Sequence, residues 1–182
     1  MKEEGRIIVI TGFMGAGKTL IARALARRME TPVVDLDEHI VTREKRTIQA
    51  IIEERGEDYF RQVETHALSE VLDRKAARII ALGGGTWTLA PNRALLKQKR
   101  GALTIWLDAP FEICWRRIVG DNASRPLAPD EESARRLYEA RREIYALADL
   151  HIKAEKSVRE IVAEIIDVEK RMTTKENLSE EN

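Results

Sequence analysis

Residues 12 to 19, Gly12-Phe13-Met14-Gly15-Ala16-Gly17-Lys18-Thr19, satisfy the pattern G-x-x-x-x-G-K-[ST] at every position. Glycines let a backbone wrap closely around phosphate groups and turn its amides inward. A helix N-terminus behind such a loop adds a dipole that favours an anion. Lys18 can reach the outer phosphates, and the Thr19 hydroxyl can ligate Mg²⁺. The plain alternative is a glycine-rich turn that binds nothing. The complete match, between a buried-type strand and a helix, speaks against it. Neither Asn-Lys-x-Asp nor Asp-x-x-Gly occurs, so the guanine-specific GTPase pattern is missing and ATP is the expected nucleotide.

Asp35-Leu36-Asp37 ends the second apolar run. Two residues apart on a strand, the carboxylates would point the same way with Cα atoms about 6 to 7 Å apart. One can then serve a metal while the other orients a hydroxyl and accepts its proton. A simple helix cap at Asp37 and a hydrogen-bonded strand end at Asp35 are the competing readings. Gly83-Gly84-Gly85 follows the third apolar run, where ligands approach the backbone of open α/β sheets. Arg61 and Glu64, at i and i+3, share a helix face, and an exposed ion pair is the ordinary reading of that spacing. Arg125 stands in a turn-rich segment that can act as a lid. Arg135, Arg136, Arg141 and Arg142 read as a solvated helix face. His39, His66 and His151 have no metal-ligand spacing. Trp87, Trp106 and Trp115 read as core anchors, and Cys114 as a small apolar helix residue.

The elements that position these residues alternate. Strands are expected over 7–11, 32–35, 77–82 and 103–107, with a short fifth one at or near His151. Helices are expected over 18–29, 92–99, 110–118, 133–148 and 157–170. Residues 38–73 read as mostly helical, with Thr47 as a cap and Gly56 as a break. The alternation predicts a three-layer α/β/α domain around a mostly parallel sheet. One domain over 1–170 is expected, with a loop at 119–130 and a polar, disordered tail at 171–182.

The 182 residues carry 31 lysines and arginines against 31 aspartates and glutamates. This balance argues against general nucleic-acid binding, which needs a basic footprint. One cysteine allows no internal disulfide and no cysteine-based zinc cluster. No apolar run is long enough to span a membrane, and the charged start has no signal-peptide core. A cytoplasmic protein is expected.

Taken together, the motifs resemble those of the shikimate kinase family. The matching residues are the phosphate loop at 12–19, Asp-Leu-Asp at 35–37, Gly-Glu-x-x-Phe-Arg-x-x-Glu at 56–64, Leu-Gly-Gly-Gly at 82–85, Trp-Leu at 106–107, Arg-Pro-Leu at 125–127 and Arg-x-x-x-Tyr at 141–145. They run in order over roughly residues 5 to 165. The resemblance implies a nucleoside-monophosphate-kinase-like fold, with five parallel strands in order 2-3-1-4-5 and a lid. It implies transfer of a phosphoryl group from ATP, with Mg²⁺, to the 3-hydroxyl of shikimate, by a monomer that binds neither nucleic acid nor membrane.

The resemblance also assigns roles. Gly15, Ala16, Gly17, Lys18 and Thr19 bind ATP phosphates, Thr19 also binds the metal, and Asp35 holds it through water. Asp37 contacts the shikimate hydroxyls and acts as base. Arg61 and Arg141 clamp the carboxylate beside Gly83 and Gly84, a task suited to forked guanidinium groups. Glu64 supports Arg61 or a substrate hydroxyl. Arg125 reaches the phosphates from the lid, and Arg117, or the neighbouring Arg116, stacks on adenine. The chain departs from the family pattern at Ala128 in the lid motif, at Glu143 and over 153–157, and Trp87 stands where it can narrow the pocket. Kinases of other sugar acids such as gluconate, and an ATP-binding regulatory module without transfer chemistry, remain the alternatives.

Overall fold

The computed structural model describes residues 6–99, 102–120 and 128–180, without side chains beyond 174. Arg125 and most of the expected lid lie outside them. Five strands, β1 (Ile8–Thr11), β2 (Val33–Asp35), β3 (Ile79–Ala81), β4 (Leu103–Asp108) and β5 (Leu150–Lys153), form one sheet in the order β2-β3-β1-β4-β5. Every pairing is parallel, with Ile8 opposite both Ile79 and Leu103. The order places β1 at the centre, where Ile8, Val9 and Ile10 are wholly buried. This burial on both faces explains the unbroken β-branched run.

The helices are α1 (Lys18–Met29), α2 (Leu36–Glu44), α3 (Ile48–Arg55), α4 (Glu57–Asp73), α5 (Ala90–Gln98), α6 (Phe111–Gly120), α7 (Glu131–Tyr145) and α8 (Val158–Glu180). Thr47 caps α3 by accepting from the Ala50 amide, as its position suggests. Gly56, at φ 83°, ends α3 and starts α4, so the long helical stretch divides there. A short 3-10 turn, Thr86–Thr88, follows the glycine triplet and has no counterpart in the sequence reading. Helix α8 continues to Glu180, past the expected end at residue 170. No glycine or proline interrupts 158–180, and the residues after 170 are mostly adequate helix formers.

The sequence expects Asp35 and Asp37 on one strand, and here the structure differs. The strand stops at Asp35, whose side chain caps α2 by accepting from the amides of Asp37 and Glu38. Asp37 therefore sits in the first turn of a helix. A carboxylate in the N-cap position satisfies otherwise unpaired amides and suits the helix dipole, which ends the strand there.

Candidate active site

Above the carboxyl ends of β1, β2 and β3 lies a cavity of about 410 Å³. Gly15, Gly17, Lys18, Thr19, Asp35, Asp37, Arg61, Glu64, Gly84, Arg117 and Arg141 all line it. Residues from six separate stretches of sequence thus converge on one space. Ala16 and Gly83 are buried and do not line it.

On the phosphate side, the turn geometry requires glycine. Gly15 adopts φ 76°, and a Cβ there would fall 2.6 Å from the Cys114 carbonyl oxygen. Gly17 caps α1 with φ 101° and offers no side-chain acceptor to the helix amides. Such a terminus can take its acceptors from an anion. Lys18 is 9% exposed and its Nζ donates to the Phe13 carbonyl at 3.0 Å, so the loop holds its own cation at the cavity wall. Arg117 clasps the same loop from α6, with Nη1 donating to the carbonyls of Gly15 at 2.9 Å and Ala16 at 3.2 Å. Arg116 is exposed and lies off the cavity.

Thr19 Oγ1 donates to Asp35 Oδ2 at 2.5 Å. Asp35 Oδ1 meanwhile holds the α2 amides, at 3.1 and 3.3 Å. The strand end thus fixes one carboxylate in two directions. Among the described residues, no three His, Cys, Asp or Glu side chains group as metal ligands. A hydroxyl and a carboxylate beside a phosphate loop nevertheless fit Mg²⁺, which keeps several waters and takes few protein oxygens.

On the opposite side, the groups are cationic and come from α4 and α7. Arg61 Nη1 pairs with Glu64 Oε2 at 2.5 Å, and Nη2 with Glu57 Oε1 at 2.8 Å. Burial opposes the Arg61 charge, but Glu64 and Glu57 outweigh it and hold the pKa above its ordinary value. Glu64 is only 1% exposed, so this is no surface pair of the kind its spacing suggests. Arg141, 7% exposed, turns inward and donates from Nη1 to the Gly84 carbonyl at 3.2 Å. Its neighbours on α7 behave as a solvated face, where Arg135 and Arg136 pair with glutamates one turn earlier. Tyr145 donates to the same Gly84 oxygen at 2.5 Å. Burial pushes its hydroxyl up to about 12, so it stays a donor at neutral pH.

The glycine turn joins the two sides. A Cβ on Gly83 would fall 2.5 Å from Asp37 Oδ1 and 3.0 Å from Glu64 Oε1, so both carboxylates lean on bare backbone. A Cβ on Gly84 would lie 3.3 Å from the Met14 amide, where the turn meets the phosphate loop. Ile48, Ile52, Phe60 and Leu82 supply an apolar wall, with Gln49 among them. Sequence reading assigns none of these, although Ile48 and Ile52 stand at i,i+4 on one helix face. It also gives Tyr145 no role. Trp87 does not narrow the cavity. It is buried behind the turn, its Nε1 donating to the Ile144 carbonyl at 2.9 Å, and so braces α7. Glu143 is exposed, and burial pushes the Cys114 thiol up to about 11, which leaves it inert.

Comparison with known proteins identifies the family. The family model for shikimate kinase matches residues 14–170. A shikimate kinase from Geobacter sulfurreducens is 40% identical over 166 residues, which cover 89% of this chain and 90% of that one. The structure of shikimate kinase from Acinetobacter baumannii in complex with shikimate superposes with a TM-score of 0.83 at 34% identity, covering 91% of this chain and 93% of that one. A gluconokinase from Sinorhizobium meliloti gives a TM-score of 0.64 at 18% identity, covering 97% of each chain, a likeness of fold alone. With the family match spanning most of the sequence, the chain belongs to the shikimate kinase family.

Proposed function

We propose that this enzyme transfers the γ-phosphoryl group of ATP to the 3-hydroxyl of shikimate, with the residue roles that follow. The reading rests on one observation. A phosphate loop with a hydroxyl–carboxylate pair and a pair of inward arginines face the same cavity, and Asp37 lies against the turn that joins them. Arg61 and Arg141 bind the substrate carboxylate, for which forked guanidinium donors are suited. The apolar wall of Ile48, Ile52 and Phe60 receives the ring. Asp37 takes the proton of the 3-hydroxyl as its oxygen forms a bond to the γ-phosphorus. The bond from that phosphorus to the β–γ bridging oxygen breaks, and ADP leaves. Lys18 and the loop amides hold phosphate charge, which is where positioning and electrostatics act in phosphoryl transfer.

Thr19 would hold Mg²⁺ directly and Asp35 through water, and the ion would neutralise charge on the phosphate oxygens. Arg117 serves the nucleotide side. Arg125, outside the described residues, would add its charge to the phosphates. No helix among the described residues is long and apolar enough to cross a membrane. A monomer in the cytoplasm, where ATP is supplied, goes with this reading.

A coupled ADP-release assay with Mg-ATP and shikimate, gluconate, quinate or no acceptor tests it. Release that depends on shikimate is expected. Release with gluconate or quinate instead would overturn the acid-site assignment. Bound ATP with no acceptor-dependent release would favour a regulatory module.

A further inference from the structure

We propose that Thr86 is a positioning residue for shikimate, acting through Glu64 on Arg61. The proposal rests on the reading above. Thr86 is wholly buried, and its Oγ1 donates to Glu64 Oε1 at 2.6 Å. The other oxygen of the same carboxylate receives Arg61 Nη1. Glu64 is therefore held on both oxygens, one by a neutral hydroxyl and one by the guanidinium. The hydroxyl is itself fixed. Thr86 opens the 3-10 turn, its amide donates to the Gly83 carbonyl at 3.2 Å, and its carbonyl accepts from the buried Asn92 Nδ2 at 2.9 Å.

The same short segment also sets the second arginine, because the Gly84 carbonyl accepts from Arg141. Gly85 completes the arrangement. A Cβ there would fall 2.6 Å from Arg61 Nη2, so the guanidinium packs against bare backbone. Residues 83–86 thus act as a template that spaces two guanidinium groups. Arg141 is keyed to a main-chain atom that most substitutions leave in place. Arg61 is held by Glu57 on its outer side, and on its buried side by Glu64, whose other oxygen is fixed by the Thr86 hydroxyl. Without it, Glu64 Oε1 would be buried and unpaired next to Asp37, and the carboxylate would turn to find another donor, taking Arg61 along.

The test is steady-state kinetics on Thr86→Val, which keeps the shape and removes the hydroxyl, with Thr86→Ser as the rescue. Loss of one hydrogen bond to a charged group predicts a rise of about tenfold in KM for shikimate. The KM for ATP should stay within about twofold, and Thr86→Ser should restore the wild-type value. With the carboxamide analogue of shikimate, which lacks the charge that Arg61 reads, the wild type and Thr86→Val should differ by less than about twofold. Thr86→Ala should reproduce the rise if the valine variant does not fold. An unchanged KM for shikimate in Thr86→Val overturns the proposal. So does failure of serine to rescue, or an equal loss on the carboxamide, since either would make the residue mere packing. Shikimate-dependent turnover by the wild type is read in the same assay, so failure of the wider functional reading would be seen separately.

Discussion

The two sides of the cavity are built differently. Apart from Arg117, which clasps the loop from α6, the phosphate side is made of residues near one another in sequence, with Lys18 bonded to the carbonyl five residues before it and Thr19 to a carboxylate 16 residues on. Much of its chemistry is main chain, offered by a strand, a turn and a helix end. The acid side is made of side chains from distant segments. Glu64 meets Thr86 across 22 residues, and Gly84 receives Arg141 and Tyr145 across 57 and 61. A backbone site binds any anion of suitable shape. A side-chain site binds what its particular donors and spacing fit. On the function proposed above, the phosphate side would suit many kinases and the acid side would carry the choice of substrate.

Substitutions that disable one side and spare the other separate the two contributions. The largest effect is expected at Asp37, where the sides meet. Asp37→Asn should lower kcat by about 10³-fold, within the range for a general base, and leave ATP affinity unchanged. ADP-release kinetics and calorimetric titration read the two quantities, and undiminished turnover would remove Asp37 from the base role. Asp35 separates structure from metal binding. Asp35→Asn keeps an acceptor for the α2 amides and weakens the metal site, whereas Asp35→Ala loses both. Each variant should need more Mg²⁺ for half-maximal rate. Only the alanine variant should lose the cap, a destabilisation of about 1 kcal/mol visible as a lower Tm. Equal Tm values for the two would mean that the cap contributes nothing. The smallest effect is expected at Glu57, which holds Arg61 from the half-exposed outer side. Glu57→Gln should change KM for shikimate by less than about fivefold, as for a partly solvated pair. A much larger change would make the outer contact as important as the buried one.

Legibility in the sequence follows the same division. The phosphate loop is an uninterrupted string whose geometry is local, so its eight residues announce both strand and helix. The parallel α/β class follows from fully apolar strand runs, and the strand order implied by the resemblance is the one found. The boundary at Asp35 is harder to foresee. A β-like spacing of two carboxylates gives way to a helix cap, because the cap satisfies amides that a longer strand would not leave unpaired. Arg141 is indistinguishable by composition from the three other arginines on α7. Only packing against Gly84 shows that it alone of the four is buried. Thr86 carries no signal at all in one dimension, since a threonine after three glycines reads as turn. Its partner lies on a helix that ends before β3 begins.

The acid side should read its ligand independently of the phosphate side. The decisive experiment titrates shikimate and its carboxamide analogue into Lys18→Met without nucleotide. A shikimate Kd within about twofold of wild type is expected, with the carboxamide weaker by about tenfold or more, since a charge-assisted bidentate contact is lost. Loss of shikimate binding in Lys18→Met, or equal affinity for the two compounds, would contradict it.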